Sequence, residues 1–223
     1  MDWTQHVNIY CERHSAAFWA EPTNAITNIA FILAALAALV YARRRGALDG
    51  AIWALVGLMF LIGLSSFLFH TVAEVWAGAA DTLSIQLFIV VYFVLAMRRF
   101  AGFSWWLSGL ATAGFMAFSF LGGDAVSPLV GDALNGSESY LPPLLGLIVV
   151  GALLVRAERA GAGRSLIAGA CIFAVSLVFR TIDNDVCAAF PLGTHFLWHI
   201  LNGLLLGFLV SAMARFGVRG AKA

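Results

Sequence analysis

Charge is what this sequence has least of. Only 11% of its 223 residues are charged, against 61% hydrophobic. Soluble domains carry roughly 25% charged residues, so this chain cannot clothe itself in a water-facing shell. The net charge of +1 says nothing about nucleic acid, but no basic stripe with interleaved aromatics appears, so no nucleic-acid partner is expected. No basic run precedes the first apolar stretch, where Asp2, Glu12 and Glu21 stand instead, so a cleaved signal peptide is not expected. Repeats and low-complexity linkers are also missing. Cysteine is limited to Cys11, Cys171 and Cys187. Cys171 lies within a hydrophobic run and reads as a small buried apolar residue.

What is present is hydrophobic sequence in seven long stretches: Thr23–Ala42, Ala51–Thr71, Thr82–Met97, Phe103–Leu121, Tyr140–Val155, Leu166–Ile182 and His195–Phe216. Backbone groups in a bilayer core find no water, so spans must be helices or a closed barrel. Continuous apolarity without strand-like alternation excludes the barrel. The expected fold is therefore an all-α integral membrane protein of seven transmembrane helices. It forms one domain over residues 1–223, with an extramembrane segment at 1–22.

Basic residues set the orientation. Arg43, Arg44, Arg45, Arg98, Arg99, Arg156, Arg159, Arg164, Arg215, Arg219 and Lys222 follow the odd-numbered spans, eleven of the thirteen lysines and arginines. Asp2, Glu12, Glu21, Glu74, Asp81, Asp124, Asp132, Glu138, Asp183 and Asp185 fall on the other side. The positive-inside rule then puts the N-terminus outside and the C-terminus in the cytoplasm. Cys11 and Cys187 share the outer side, where a bridge between them and two free thiols are both open.

Polar groups inside spans are costly, roughly 2.5–3.5 kcal/mol for a charge at a helix centre, so each needs a reason. His6 and His14 lie in the aqueous N-terminal segment and read as ordinary. His70 closes the second span, and His195 and His199 open the seventh. Because alternate spans run in opposite directions, Ser66, His70, Asp81, His195 and His199 arrive in one layer near the outer face. His195 and His199 are four apart, on one helix face and about 6 Å along its axis, which suits two imidazoles on one ion. A third imidazole from His70 makes the open three-ligand arrangement of catalytic zinc, in which a bound water ionises near neutral pH. Copper, nickel or iron would also accept imidazole. Ser66 shares the helix face of His70 and is placed to donate to an oxyanion, while Asp81 is placed to relay a proton. The plainer alternatives are a serine bonded back to its own helix and an aspartate capping the third span. Arg180, near the outer end of span six, is expected to pair with Asp183 or Asp185. Glu12 and Glu21, with Asn8 and Asn24, form either an oxygen-rich calcium site or a solvated acidic segment in which Thr23 or Asn24 caps the first helix.

Cys11-Glu12, Trp19-Ala20-Glu21 to Asn28, Ser66-x-x-x-His70, Asp81, Ile182-Asp183-Asn184 with Cys187, and His195-x-x-x-His199-Ile200-Leu201 together resemble the alkaline ceramidases. These belong to the wider group of seven-helix membrane hydrolases that includes the progestin and adipoQ receptors. The resemblance runs over nearly the whole chain. It implies zinc on His70, His195 and His199, with Asp81 activating a water and Ser66 stabilising the oxyanion. It also implies hydrolysis of a ceramide-like amide to a sphingoid base and a fatty acid, and a Cys11–Cys187 disulfide. The calcium set of that family matches at Glu12 and Glu21 but reads Ile9 and Tyr10 where an Asp and a Trp are expected. The substrate is expected to enter laterally from the outer leaflet to an active site toward the non-cytoplasmic face. The alternative function is a receptor-like signalling protein whose zinc is structural. A transporter is disfavoured, since the polar residues gather at one face instead of forming a path through the midplane.

Overall fold

The computed structural model describes residues 2–217, leaving out the side chains at 123–126 and 131–132. Arg219 and Lys222, and the side chains of Asp124 and Asp132 that entered the charge pattern, lie outside the described residues. Eight α-helices and three short 3-10 turns make up the secondary structure among those described: α1 Pro22–Thr27, α2 Ile29–Arg44, α3 Gly50–Val72, α4 Val75–Arg99, α5 Trp105–Val130, α6 Leu141–Arg156, α7 Ala160–Thr181 and α8 His195–Phe216. With α1 and α2 taken as one length, Pro22–Arg44, seven are long and apolar enough to cross a membrane.

Local chemistry explains the ends. Pro22 sits in the first turn of α1, where a missing N–H costs nothing. Glu12, from the preceding segment, accepts the backbone N–H groups of Thr23 at 2.7 Å and Asn24 at 2.8 Å, so it is Glu12 that caps this helix, not Thr23 or Asn24. Asp49 caps α3 by accepting from Ala51 and Ile52.

The third span begins seven residues earlier than its hydropathy indicates. Helix α3 ends on Ala73 in the left-handed region (φ 51°), and α4 starts two residues on. The N–H groups of Val75 and Trp76 are taken by the carbonyls of Gln5 and Trp3. The N-terminal segment thus supplies the acceptors that let the helix start at a polar stretch. Asp81 consequently lies inside α4 and is no N-cap, which corrects the plainer reading of that residue.

One contiguous apolar cluster runs through the bundle, drawing on α2, α3, α4, α6, α7 and α8. α8 packs against α2 and α7, and touches α3 and α4, whereas α5 lies at the margin against α4 and α6. Gly203 and Gly207 face Ala30 and Ala34, where an added Cβ would meet Ala30 backbone at 2.8 Å and the Ala34 side chain at 3.0 Å. Small residues let helix backbones approach where apolar lipid offers no contrast to drive association. Large apolar side chains such as Phe120 and Trp106 stand exposed on the outer surface of the bundle, as lipid contact requires. Cys171 belongs to this surface: it is exposed, contrary to the buried position expected, because its side of α7 faces away from the core.

The two ends of the bundle differ. Arg99 bonds Asp49 at 2.8 Å and Arg159 donates to the Phe100 carbonyl, drawing the arginine-rich loops together. At the other end the N-terminal segment lies across the helix ends. His6 pairs antiparallel with Glu74, Val7 donates to the Ala73 carbonyl, and Cys11 is disulfide-bonded to Cys187.

Candidate metal centre

Three buried imidazoles meet beneath that segment. His70, His195 and His199, each no more than 2% exposed, offer ligand atoms all within 4.8 Å of one another. Their ring centroids lie 5.2 Å apart for His70–His195, 4.7 Å for His70–His199 and 4.7 Å for His195–His199. The helical four-residue spacing places the last pair, and the antiparallel run of α3 against α8 brings in the first.

Each histidine is held from behind. His70 Nδ1 lies 2.6 Å from Glu21 Oε2, and His199 Nδ1 lies 3.1 Å from Thr27 Oγ1. His195 is held through its backbone: Asp183 Oδ1 accepts the N–H groups of Thr194 at 2.7 Å and His195 at 2.9 Å, and Oδ2 accepts that of Cys11 at 3.0 Å. Tyr10 stacks on the His195 ring at 3.8 Å between centroids. Gly193 has φ +63°, and a Cβ there would collide with Asp183 and Cys11, so this turn needs glycine.

The donor set fits a metal ion. His70 Nε2 and His195 Nδ1 are buried with no hydrogen-bond partner, although buried polar atoms normally have one. A ring whose outward nitrogen is bonded to oxygen, as in His70 and His199, is the usual form of a zinc-type histidine ligand.

Ser66 and Asp81 line the same cavity as His195 and His199, a space of about 290 Å³ that also contacts Tyr10 and Arg180. Asp81 Oδ1 is buried and has no hydrogen-bond partner. A second, apolar cavity adjoins the first, sharing Phe31, Ile62, Ile85, Tyr140 and Trp198 with it. It continues along α8 as far as Leu209 and has no charged residue in its lining.

Two expectations change. Arg180 pairs with neither Asp183 nor Asp185; it donates to the Asn135 carbonyl and to Ser137 Oγ and lies over the Tyr140 ring. Asp183 is instead committed to backbone N–H groups, the stronger use for a fully buried carboxylate. The acidic pair Glu12 and Glu21 is buried, contrary to the solvated segment that is one of its two readings, and is engaged by protein donors. Glu12 caps α1, and Glu21 accepts from Arg13, His70 and Asn24. Burial alone would push the Glu21 carboxyl up, but hydrogen bonds from His70, Arg13 and Asn24 hold it below the ordinary carboxylate value.

Sequence reasoning did not assign roles at this centre to Arg13, Tyr10 and Thr27. For Arg13 a signal existed: it and Arg180 are the two of the thirteen lysines and arginines that do not follow an odd-numbered span, and both sit at this end. Tyr10 and Thr27 carry no such mark.

Among known proteins, the family model described as Ceramidase matches residues 7–220, nearly the whole chain. No curated protein and no solved structure matches.

Proposed function

The chain belongs to the ceramidase family, and from that premise we propose that it is a metal-dependent hydrolase of N-acyl lipid amides, ceramide-like in substrate and acting as a single membrane domain. The observation that carries this reading is the buried histidine trio, with unpartnered ring nitrogens on His70 and His195, beside a cavity that His195 and His199 line together with Ser66 and Asp81. His70, His195 and His199 would hold the ion, zinc by the chemistry of the donors. When bound, such an ion supplies Lewis acidity that polarises an amide carbonyl and acidifies a water.

The remaining steps belong to the protein. Asp81 takes a proton from the attacking water and delivers it to the amide nitrogen as the C–N bond breaks. The products are a free amine and a carboxylic acid, with water accounting for the added atoms. Ser66, buried beside it, donates a hydrogen bond to the oxygen that becomes negative in the tetrahedral intermediate. The apolar cavity takes a hydrocarbon chain along α8; from Trp198 to Leu209 it offers about 16 Å of helix. Its walls, including Phe88, Phe173 and Leu205, repel water while the reacting amide stays in the polar chamber.

We place this chamber on the non-cytoplasmic side, because it lies opposite the arginine-rich loops, with entry from the outer leaflet. Calcium is not part of the reading. The decisive experiment is His195→Ala, purified and analysed for metal and for fatty acid release from several N-acyl lipids. Loss of bound zinc together with loss of hydrolysis is expected; full turnover in the metal-free variant would refute the mechanism.

A further inference from the structure

The most heavily engaged charge at this end is one the catalytic scheme does not use. Arg13 is 3% exposed, and a buried guanidinium is tolerated only when it is paired and hydrogen-bonded. Each of its three nitrogens has a partner. Nε bonds Glu21 Oε1, Nη1 reaches the carbonyls of Ser15 at 3.1 Å and Ala17 at 3.4 Å, and Nη2 reaches the carbonyl of His70 at 3.0 Å. Glu21 in turn accepts from His70 Nδ1 through its other oxygen. Arg13 therefore grips His70 twice, directly on the backbone and through Glu21 on the ring.

We propose that Arg13 is a positioning residue for the metal centre, locking His70 through Glu21 in the tautomer and orientation that aim Nε2 at the ion. This rests on the metal reading above. A carboxylate can only accept, so a hydrogen on Nδ1 leaves the Nε2 lone pair free, and Nε2 is the buried ring atom without a partner. The other two histidines have weaker supports, a neutral hydroxyl for His199 and a backbone clamp for His195. Among the described residues, His70 alone of the three is oriented by an ion pair. Arg13 also gathers the carbonyls of Ser15 and Ala17, so it fixes the loop from which Glu21 comes. Arg suits this task better than Lys, because its planar fork can serve Glu21 and the His70 carbonyl together.

The test is zinc affinity of the purified full-length protein, measured by competition with a chromophoric chelator, with disulfide formation checked in each variant. Arg13→Met is expected to weaken zinc binding by roughly 10–100-fold, the range for losing a group that orients a ligand. Arg13→Lys should recover part of that loss. In a Glu21→Gln background Arg13→Met should add less than about twofold, since the two act in series. If Arg13→Met does not fold, Arg13→Lys carries the same comparison with and without Glu21→Gln. A second readout needs no metal: side-chain ¹⁵N signals of His70 should report a hydrogen on Nδ1 in the parent and a mixture in Arg13→Met. Unchanged affinity in a folded Arg13→Met, or full additivity with Glu21→Gln, overturns the proposal while leaving the hydrolase reading intact. A parent protein that binds no zinc overturns the metal reading. The ¹⁵N signals then decide the remainder, and a His70 tautomer unaffected by Arg13→Met ends the proposal too.

Discussion

The histidine end and the arginine end of this bundle are built on different principles. At the arginine end the helices are joined by short loops, a cap at Asp49 and one ion pair to Arg99, and the interior just above is apolar. At the histidine end a segment of some twenty residues folds back over the helix ends, and buried polar groups hold one another in series: Arg13, Glu21 and His70; Asp183, Cys11 and His195. A membrane interior rewards apolar fit and penalises polar groups. The polar groups that persist at the histidine end hold the three imidazoles in position. Rigidity there comes from directional bonds; elsewhere it comes from close packing.

That contrast can be broken at several points. The largest effect is expected from Asp81→Asn, which should lower turnover by roughly 10²–10⁴ while the metal content stays unchanged, since a general acid–base contributes that much. Metal analysis beside an amide-hydrolysis assay checks it, and unaltered turnover would favour the receptor-like alternative. Removing the staple with the double substitution Cys11→Ser and Cys187→Ser should cost about 2–5 kcal/mol in unfolding free energy. The loss should appear first at the histidine end, read as faster amide exchange in residues 2–21. In the bundle interior, Gly203→Ala should cost about 1–3 kcal/mol by forcing α8 away from Ala30, with the metal retained; denaturant unfolding measures it.

The smallest effect belongs to the arginine end. Asp49→Ala should cost about 1 kcal/mol through the lost cap. Although burial opposes it, hydrogen bonds from Ile52, Arg99 and Ala51 hold the Asp49 carboxyl below its ordinary value of 3.8. A carboxyl lowered in the folded state stabilises above the unfolded value and loses that contribution as pH falls through the folded one. The stability gap between parent and variant should therefore be full at neutral pH and close under acid below 3.8. A gap that widens on acidification would contradict this.

Much of this comparison can be read in one dimension. The seven spans are legible because burial in lipid demands apolar residues along the whole length of each helix, a local requirement. The histidine trio is legible for a related reason, since helical periodicity and the alternation of span direction fix both face and depth. Where those rules stop, so does the reading. Asp81 looked like a helix start because the polar stretch around it masks the turn at Ala73, and only the carbonyls of Trp3 and Gln5 explain why α4 begins so early.

By itself, then, the amino-acid order determined the helical membrane fold, the alternation of charge between its two ends, and which histidines share a layer. The tertiary structure decided what stands behind them: Glu21 on His70 and Arg13, Asp183 on backbone and not on Arg180, and Arg13 buried at the centre. The reason is physical. Hydrophobic periodicity is a property of neighbours along the chain, whereas a hydrogen bond between residues 49 or 172 positions apart depends on where the fold delivers two atoms, to within a few tenths of an ångström.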